Sequence, residues 1–292
     1  GSHDAALPLT NNAEKALKPS LLPQTLRKFG AELEIPETEI AIFFALREAA
    51  IARLFESNPW LVSYMKAAIA EYGKGIHIDL TNLHYSADKS SWETAVKQID
   101  VTLNAALTVG NNERKEDHFS VFGIAPIPVL AYFGFKLGNV TPADIYIKLR
   151  EKPWSRISSE PKLAFTVSKP HIKTKAKDVA LSIAISGTTS RLEIEKHVGK
   201  GVPIYEIKLK KSQIDQIECI EDLEAFRKIY REVVDEIREV HGKKCKIHLF
   251  GAMPTCAAII CGREIIHGVD PSIVMYEHLS QEEGFVPALT IN

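Results

Sequence analysis

The phrase Phe-Gly-x-x-Pro occurs twice in this sequence, 128 residues apart, at Phe122–Pro126 and Phe250–Pro254. In both copies a glycine follows the proline by eight positions, at Gly134 and at Gly262. Each copy follows an apolar run and precedes an apolar helical pattern, which is typical of a strand, a tight glycine turn and a helix that begins at proline. A strand that ends at a helix N-terminus is where α/β proteins bind ligands, so the sequence predicts two such places.

The elements around the two copies also repeat in order. Gly-Lys-Gly recurs at 73–75 and 199–201, and each copy leads into an apolar strand pattern. An amphipathic helix then precedes each Phe-Gly-x-x-Pro, with its stripe at Trp92, Val96, Ile99, Leu103, Ala106 in the first half and at Leu223, Phe226, Tyr230, Val233, Ile237, Val240 in the second. Agreement in order, spacing and element type indicates an internal duplication of a β-α-β-α-β-α-β unit. We therefore predict an α/β fold of two Rossmann-like units with mainly parallel sheets, related by a pseudo-twofold.

Several local expectations follow from the patterns. We predict a strand at 76–80, a capping box that opens a helix at Ser90–Glu93, and a helical block within 39–72. The last strand of each unit is expected at the same spacing of 128, with Ile145 matching Ile273. The Pro-, Ser- and Lys-rich stretch from Trp154 onward is interpreted as a connector between the halves.

Composition limits the function classes. The 292 residues carry a formal net charge of −1, so bulk electrostatics do not favour binding of long nucleic acid. No apolar run has the length of a membrane span, and Gly1-Ser2-His3 is typical of a tag remnant. The four cysteines lack zinc-type spacing and lie in or beside apolar segments, which is typical of buried, reduced thiols. We expect a cytoplasmic protein without a metal site.

Motifs that would identify an enzyme are absent from the sequence. There is no G-x-G-x-x-G after the first strand, no Walker A, no H-E-x-x-H and no G-x-S-x-G. No pair of acidic residues is marked out as a catalytic dyad, and the ten histidines are scattered. We therefore expect no catalytic residues, no cofactor other than a bound ligand, and a binding domain rather than an enzyme.

Four segments fall at strand carboxyl ends, where helix N-termini offer free N–H groups and a positive dipole end to phosphate. The candidate ligand-binding residues in them are Asn82, His84 and Tyr85; Gly123, Ala125 and Pro126; Ser186, Gly187, Thr188, Thr189 and Ser190; and Gly251, Ala252, Met253, Pro254 and Thr255. The serine- and threonine-rich segment has the most donors. Trp154 is a further candidate, for stacking on a base.

Each of these assignments has an ordinary structural alternative. The serines and threonines at 186–190 also fit a simple helix cap, and the Phe-Gly-x-x-Pro turns also fit plain turn chemistry. Trp154 fits a core or connector role better than a role in base stacking. The duplication favours function at the two turns, because a pseudo-twofold would bring them together at one cleft.

The sequence resembles the SAVED domains, the cyclic-nucleotide sensors of bacterial anti-phage CBASS systems. The resemblance is clearest in Ile247–Pro254, Ile273–Glu277 and Phe285–Leu289, with weaker matches at His77–Thr81 and at the strand Val179–Ser186 running into Thr188. Trp92 and Trp154 also fit the pattern, which covers roughly residues 75 to 292.

The resemblance implies two fused CARF-like units that bind a cyclic di- or oligonucleotide in one shared pocket. The patterns along the chain give the boundaries 1–37 for tag and linker, 38–155 for the first CARF-like unit, 156–177 for the connector and 178–292 for the second unit, which together would form one SAVED domain. The resemblance also implies an upstream effector domain or a partner chain, activated by ligand-induced homo-oligomerisation. No effector signature is evident in residues 1–74, and the helical block at 39–72 is also compatible with completing the first unit.

Two other functions remain open from the sequence. A nucleotide-processing enzyme such as a ring nuclease on the same scaffold would need a base or nucleophile, for which Ser186, Thr188 or His84 are the candidates. A protein-interaction scaffold with a degenerate pocket would need none. The identity, ring size and linkage of the ligand are not encoded in any motif of the sequence.

Overall fold

A computed structural model describes residues 75–107, 118–171, 175–280 and 284–292, together with the single residues 36, 38, 39, 42, 46, 53 and 57. The chain divides into two compact units, Gly1–Gly75 and Ile76–Asn292, and the elements below belong to the second. The helical block expected within 39–72 lies outside the described residues, apart from the single positions just named. The boundaries expected from the sequence at 37/38, 155/156 and 177/178 remain predictions.

Five helices and eight strands make up the described part of the second unit. The helices are α1 (Ser90–Leu107), α2 (Ile127–Leu137), α3 (Arg191–Val198), α4 (Ile220–His241) and α5 (Thr255–Arg263). The strands are β1 (Phe119–Val121), β2 (Ala143–Ile145), β3 (Phe165–Ser168), β4 (Asp178–Ala184), β5 (Ile204–Leu209), β6 (Lys246–Ala252), β7 (Ser272–Leu279) and β8 (Gly284–Ile291).

Six of the strands form one sheet in the order β3-β5-β4-β6-β7-β8. The four central strands β5, β4, β6 and β7 are parallel, and the two edge strands β3 and β8 pair antiparallel. Strands β1 and β2 form a separate parallel pair. The structure thus confirms an α/β fold whose sheets are mainly parallel.

The central strand β4 explains why this part of the sequence is a continuous apolar run. Six of its seven residues are buried, since helices cover both faces of the sheet. Leu181 and Ile183 belong to the main core with residues of α4 and α5, whereas Ala180 packs with Ile194 of α3 on the other face. The amphipathic stripe predicted for α4 is confirmed, because Phe226, Tyr230 and Ile237 are fully buried. Helix α1 packs on α2 and β8 through a second cluster around Trp92.

Helices α2 and α5 begin at equivalent places, as the repeat predicts. Pro126 is the N-cap of α2 and Pro254 is the N-cap of α5. The two helices pack closely against each other through Gly134 and Gly262. A Cβ added to Gly134 would lie 2.1 Å from the carbonyl oxygen of Ile259, and one added to Gly262 would lie 1.7 Å from that of Ala131.

This glycine contact is reciprocal. Gly134 faces Ile259 and Gly262 faces Ala131, and each pair of equivalent residues is 128 positions apart. In a twofold contact, residue i of one half meets residue j of the other and j meets i. The contact is therefore what the predicted pseudo-twofold requires at its axis, although the relation between the complete halves remains a prediction.

The last strands of the two halves, β2 and β7, do not correspond at the spacing that the sequence predicted. In the second half Phe250 is paired with Tyr276, and their rings stack 4.2 Å apart. In the first half Phe122 stacks 4.3 Å from Tyr146, which follows β2. The last strands therefore correspond at a spacing of 130, so the expected match of Ile145 with Ile273 is wrong by two residues.

Three local predictions also differ from the structure. Residues 76–80 are irregular rather than a strand, and Leu80 packs with its neighbours on the Trp92 cluster instead of entering a described sheet. Helix α1 begins at Ser90, whose hydroxyl bonds Asp88, and the Glu93 N–H donates to the Lys89 carbonyl, so Ser90 forms no capping box. The connector contains strand β3, which pairs with the edge of β5 and is too short for its pattern to be evident.

We expect Gly134→Ala and Gly262→Ala each to destabilise the protein. Alanine in a helix interior is normally more favourable than glycine by about 1 kcal/mol, but here the methyl group would meet the backbone of the facing helix, which cannot move without separating α2 from α5. The expected loss is on the order of 3 kcal/mol, measured as a lower urea midpoint.

The matched control is Gly187→Ala, since a Cβ there would lie 3.5 Å from the Ala252 Cβ, an ordinary contact. That variant should unfold close to the parent. An unchanged or higher midpoint for Gly134→Ala and Gly262→Ala would show that the helices do not pack through these glycines.

Candidate functional site

The order of the six-stranded sheet places a topological switch point between β4 and β6. The chain leaves β4 through α3 to β5 on one side, and leaves β6 through α5 to β7 on the other. Helices α3 and α5 lie on opposite faces of the sheet, which is the arrangement that opens a crevice at the carboxyl ends of the strands in α/β proteins. Ligands of open α/β sheets bind in such a crevice.

Two of the predicted segments meet at this point. The backbone N–H groups of Ile185 and Ser186 both donate to the carbonyl of Ala252, at 2.9 and 2.8 Å. Gly187 lies beside Ala252 as well, close enough that a Cβ on it would touch the Ala252 Cβ. The candidates at 186–190 and 251–255 are therefore adjacent.

The hydroxyl groups of the segment 186–190 do not all face the crevice. Thr189 hydrogen-bonds the buried Ser182 of β4, so its side chain supports the strand end. Thr188 is exposed, and Ser190 is the N-cap of α3 without a side-chain cap hydrogen bond. The simple helix-cap alternative for these hydroxyls is thus not what the structure contains, and Thr188 and Ser190 keep donors and acceptors for a ligand.

The turn 251–255 is formed largely by backbone. Gly251 and Met253 are buried, and Pro254 and Thr255 are half-buried at the N-terminus of α5, which has no side-chain cap. A Cβ on Gly251 would lie 2.3 Å from the methyl group of Met253 and 3.6 Å from Ile127. A large side chain at 251 would therefore disturb the core, and variants at exposed positions test ligand binding more cleanly.

The turn 123–126 lies on the other side of the α2–α5 contact. A Cβ on Gly123 would meet the Ile259 side chain at 2.9 Å, and Ala125 packs on both the main core and the Trp92 cluster. The first backbone N–H group of α2, which begins at this turn, already has a hydrogen-bond acceptor. The Ile127 N–H donates to Oε2 of Glu277 from β7, at 2.9 Å.

Glu277 has a strongly altered acidity. Burial raises the pKa of its carboxyl group from 4.5 to about 7, and the hydrogen bonds from the backbone N–H groups of Ile127 and His278 only partly oppose that shift. Buried carboxylates without a cationic partner behave in this way. Glu277 ends the stretch Ile273–Glu277 that carries the family resemblance, but the sequence assigned it no role, because its role depends on a contact between positions 150 residues apart.

Aromatic rings lie at the carboxyl end of the β1–β2 pair. Phe122 follows β1 directly and is 52% exposed, with Tyr146 stacked on it and the edge of Trp154 at 5.5 Å. Trp154 itself is half-buried in this cluster. Its candidate role in stacking on a base remains a prediction, and Phe122 offers the more exposed ring.

The segment 82–85 is set apart from the switch point. Asn82 and His84 are exposed, and the His84 carbonyl accepts a hydrogen bond from Ser91. The Tyr85 ring packs on Trp92 at 4.5 Å. No described hydrogen bond joins Asn82 or His84 to Ser186 or Thr188, whereas the segments 186–190 and 251–255 are in direct contact.

Sequence reasoning missed the segment that follows β5. Ser212 donates to the Ala184 carbonyl at 2.8 Å and the Gln213 N–H donates to the Ile185 carbonyl at 3.1 Å, which fixes this loop against the end of β4. Lys210 and Lys211 are exposed there. Two consecutive lysines directly after a strand were the available signal, and they supply positive charge beside the crevice.

The cysteines are buried and free, as predicted. Burial raises the pKa of the Cys245 thiol to about 11 and that of Cys256 to about 12, so both are protonated and unreactive at neutral pH. Within the described ranges no group of three or more His, Cys, Asp or Glu residues could hold a metal ion. No described helix is long and apolar enough to cross a membrane.

The strand order and its switch point define an open α/β domain of the kind that binds ligands at the carboxyl ends of its strands. A family model named SAVED, for "SMODS-associated and fused to various effectors sensor domain", matches residues 103–291, well over half of the chain. The chain belongs to the SAVED family. No curated protein matches the sequence.

Solved structures of Cap4 SAVED/CARF-domain containing receptors share this fold. The Acinetobacter baumannii receptor with the cyclic trinucleotide 3'3'3'-cAAA aligns with a TM-score of 0.53 and 15% identity over 92% of this chain and 65% of that one. The same receptor with 2'3'3'-cAAA gives 0.50 and 18% over 70% and 44%, and the Moraxella osloensis receptor gives 0.53 and 14% over 74% and 46%. The chain thus spans 44% to 65% of the length of these receptors.

A second family model, described as a zincin-like metallopeptidase, matches residues 1–122, which is less than half of the chain. Residues 1–74, in which the sequence alone gave no effector signature, therefore lie inside a match to a metallopeptidase family. The zinc-binding motif of such enzymes has two histidines four residues apart on one helix, and no pair in this sequence has that motif. The match alone does not assign a peptidase activity.

We expect Glu277 to make stability depend on pH. Its carboxyl group has a higher pKa in the folded protein than its ordinary value, so the folded state holds the proton more tightly between pH 4.5 and about 7. This contribution is complete below pH 4.5 and is lost as the pH rises through 7, by on the order of 2 kcal/mol. Urea unfolding at pH 5 and pH 8 measures it, and Glu277→Gln should remove this part of the difference.

The control is Glu206→Gln, another half-buried strand carboxylate, which pairs with Lys208. That variant should keep the parent's dependence on pH. Equal differences between pH 5 and pH 8 in the parent and in Glu277→Gln would contradict the assignment.

Proposed function

We propose that this chain is a sensor domain that binds a cyclic di- or oligonucleotide second messenger at the carboxyl edge of its strands. The observation that carries the proposal is the switch point, where the segments 186–190, 210–213 and 251–255 converge around the ends of β4 and β6. Cap4 receptors of the same fold hold 2'3'3'-cAAA and 3'3'3'-cAAA.

The chemistry of the converging segments suits a nucleotide. The exposed Thr188 and the α5 N-terminus at Thr255 offer hydrogen-bond donors for phosphate. Lys210 and Lys211 add positive charge at the same edge. The exposed Phe122 ring offers an aromatic face of the kind on which bases stack.

We further propose that ligand binding drives homo-oligomerisation and activates an effector, either fused upstream or on a partner chain. The support is the family name, which describes these sensors as fused to various effectors. Anti-phage defence in the cytoplasm is the corresponding setting.

A nucleotide-processing enzyme on the same scaffold is the less favoured alternative. Its candidate base His84 has no contact with Ser186 or Thr188 among the described residues, so nothing in that part of the chain activates either hydroxyl as a nucleophile. Incubation of a bound cyclic nucleotide with the protein, followed by chromatography, should recover it unchanged.

We expect at least one member of a panel of cyclic di-, tri- and tetranucleotides, including both cAAA isomers, to bind in calorimetry and to raise the melting temperature. Light scattering during the same titration should report an increase in mass. Thr188→Glu should weaken binding about tenfold or more, since it places a negative charge beside the ligand's phosphates, and it should fold normally because Thr188 is exposed.

The control is Ser168→Glu, an exposed residue at the end of β3. Ser168 lies on the edge strand and pairs with Glu206 in the middle of β5, three residues before the carboxyl end of that strand, and this variant should bind like the parent. A panel with no heat and no thermal shift would refute the proposed function for this chain.

We expect Phe122→Ala to weaken binding of the same cyclic nucleotide about tenfold, by removing an aromatic face worth about 1–3 kcal/mol per stacked base. The variant should remain folded, because the ring is half exposed. Val140→Ala, at another exposed apolar residue, is the control and should leave affinity unchanged. Parent-like affinity in Phe122→Ala would exclude Phe122 from the ligand site.

A further inference from the structure

The two helix N-termini beside the α2–α5 contact differ in one respect. Neither helix is capped by the side chain of its N-cap proline, but the first N–H of α2, from Ile127, is bonded to the Glu277 carboxylate, and among the described residues no side chain accepts from the first N–H groups of α5. By the pairing register of the strands, the position equivalent to Glu277 in the first half is Ile147, which is apolar and buried. The duplication therefore supplies an internal carboxylate to one helix N-terminus and not to the other.

We propose that Glu277 is a specificity-determining residue of the proposed ligand site, because its carboxylate fills the anion position at the start of α2 and directs the ligand's phosphates to the β4–β6 side. This inference rests on the proposed function. It predicts a pocket whose two helix N-termini have the same backbone form but differ toward anions: the N-terminus of α5 attracts a phosphate, and that of α2 does not.

The physical argument concerns competition for one N–H group. A helix N-terminus attracts anions through its unpaired N–H groups and its dipole, and at α2 the protein's own carboxylate already uses the Ile127 N–H. Above pH 7, a phosphate approaching that end would meet a negative charge that water screens only in part, since Glu277 is half-buried. The N-terminus of α5 and the lysines after β5 offer the opposite environment.

Other titratable groups on the surrounding elements are accounted for by their own contacts. Strand β8 carries none, and the groups on β6, β7 and α2 are Lys246, His248, Tyr276, His278, Tyr132 and Lys136. His248 is bonded to Asp178 and Tyr276, and both Tyr132 and Lys136 are bonded to Asp100. Lys246 and His278 are exposed. His278 is next to Glu277 in the chain, so His278→Gln serves as a control in the pH comparison.

The first experiment uses inorganic phosphate and needs no cyclic nucleotide. Melting temperatures of the parent, Glu277→Gln and Glu277→Ala are measured in phosphate and in chloride at equal ionic strength. Glu277→Ala frees the Ile127 N–H, so 50 mM phosphate should raise its melting temperature by about 2 °C more than that of the parent. Glu277→Gln removes the charge but keeps an acceptor on that N–H, so it should respond less than Glu277→Ala. An equal response in the parent and in folded Glu277→Ala would overturn the proposal.

The second experiment measures calorimetric affinity for 3'3'3'-cAAA and 2'3'3'-cAAA at pH 6 and pH 8. The parent should bind about threefold more tightly at pH 6, where Glu277 is mostly protonated. Glu277→Gln should bind equally at both pH values and about fivefold more tightly than the parent at pH 8. His278→Gln should retain the parent's difference. The proposal fails if Glu277→Gln keeps the parent's pH dependence, if it loses affinity, or if His278→Gln abolishes the difference.

The two experiments separate this inference from the proposed function. Absence of binding by either cAAA isomer and by the wider panel would count against the sensor, while the phosphate response would still decide whether Glu277 occupies the anion position of α2. Should Glu277→Ala fail to fold, Glu277→Gln and the pH comparison still decide the question.

Discussion

The close contact of α2 with α5 is the constraint on which the rest of the described structure depends. The two helices approach so closely that the Cα of Gly134 and that of Gly262 each face a carbonyl of the other helix, where no side chain fits. Because each helix begins directly after a Phe-Gly-x-x-Pro turn, the same contact fixes the two turns relative to each other. Because the protein interior is close-packed, the fixed distance between α2 and α5 also limits how far the two turns can move.

The position of the site follows from this contact and from the strand order together. Helix α5 lies on one face of the sheet and α3 on the other. The proposed ligand crevice therefore lies at the carboxyl ends of β4 and β6. Through the α2–α5 contact, the turn after β1 lies against α5. The N-terminus of α5 borders the proposed crevice. The Gly123 backbone accordingly lies against Ile259 of α5. A ligand in the crevice would thus be near elements from both copies of the repeat.

Much of this arrangement was predictable from the sequence because it depends on local patterns. The proline N-caps at 126 and 254, the stripe of α4 and the apolar run of β4 all carry their signal within a few residues. The features that escaped prediction are contacts between distant positions: the bond from Ile127 to Glu277, the loop after β5 held at the end of β4, and the inward turn of Thr189 toward Ser182. No periodicity encodes them, since they exist only once the strand order is set.

Divergence between the two copies is as informative as their likeness. Each copy places a stacked Phe-Tyr pair after its Phe-Gly-x-x-Pro strand, yet Phe250 is fully buried among Tyr276, Phe285 and α3, whereas Phe122 is half exposed. Likewise Glu277 takes the place of the buried Ile147. In an exact duplicate both halves of a shared site would present the same chemistry. Here one copy supplies an exposed aromatic ring and a helix whose first N–H is bonded to a carboxylate, and the other supplies a second helix N-terminus, exposed hydroxyl groups and lysines. The two halves of the proposed site would therefore offer a ligand different chemistry, an aromatic face on one side and hydrogen-bond donors with positive charge on the other.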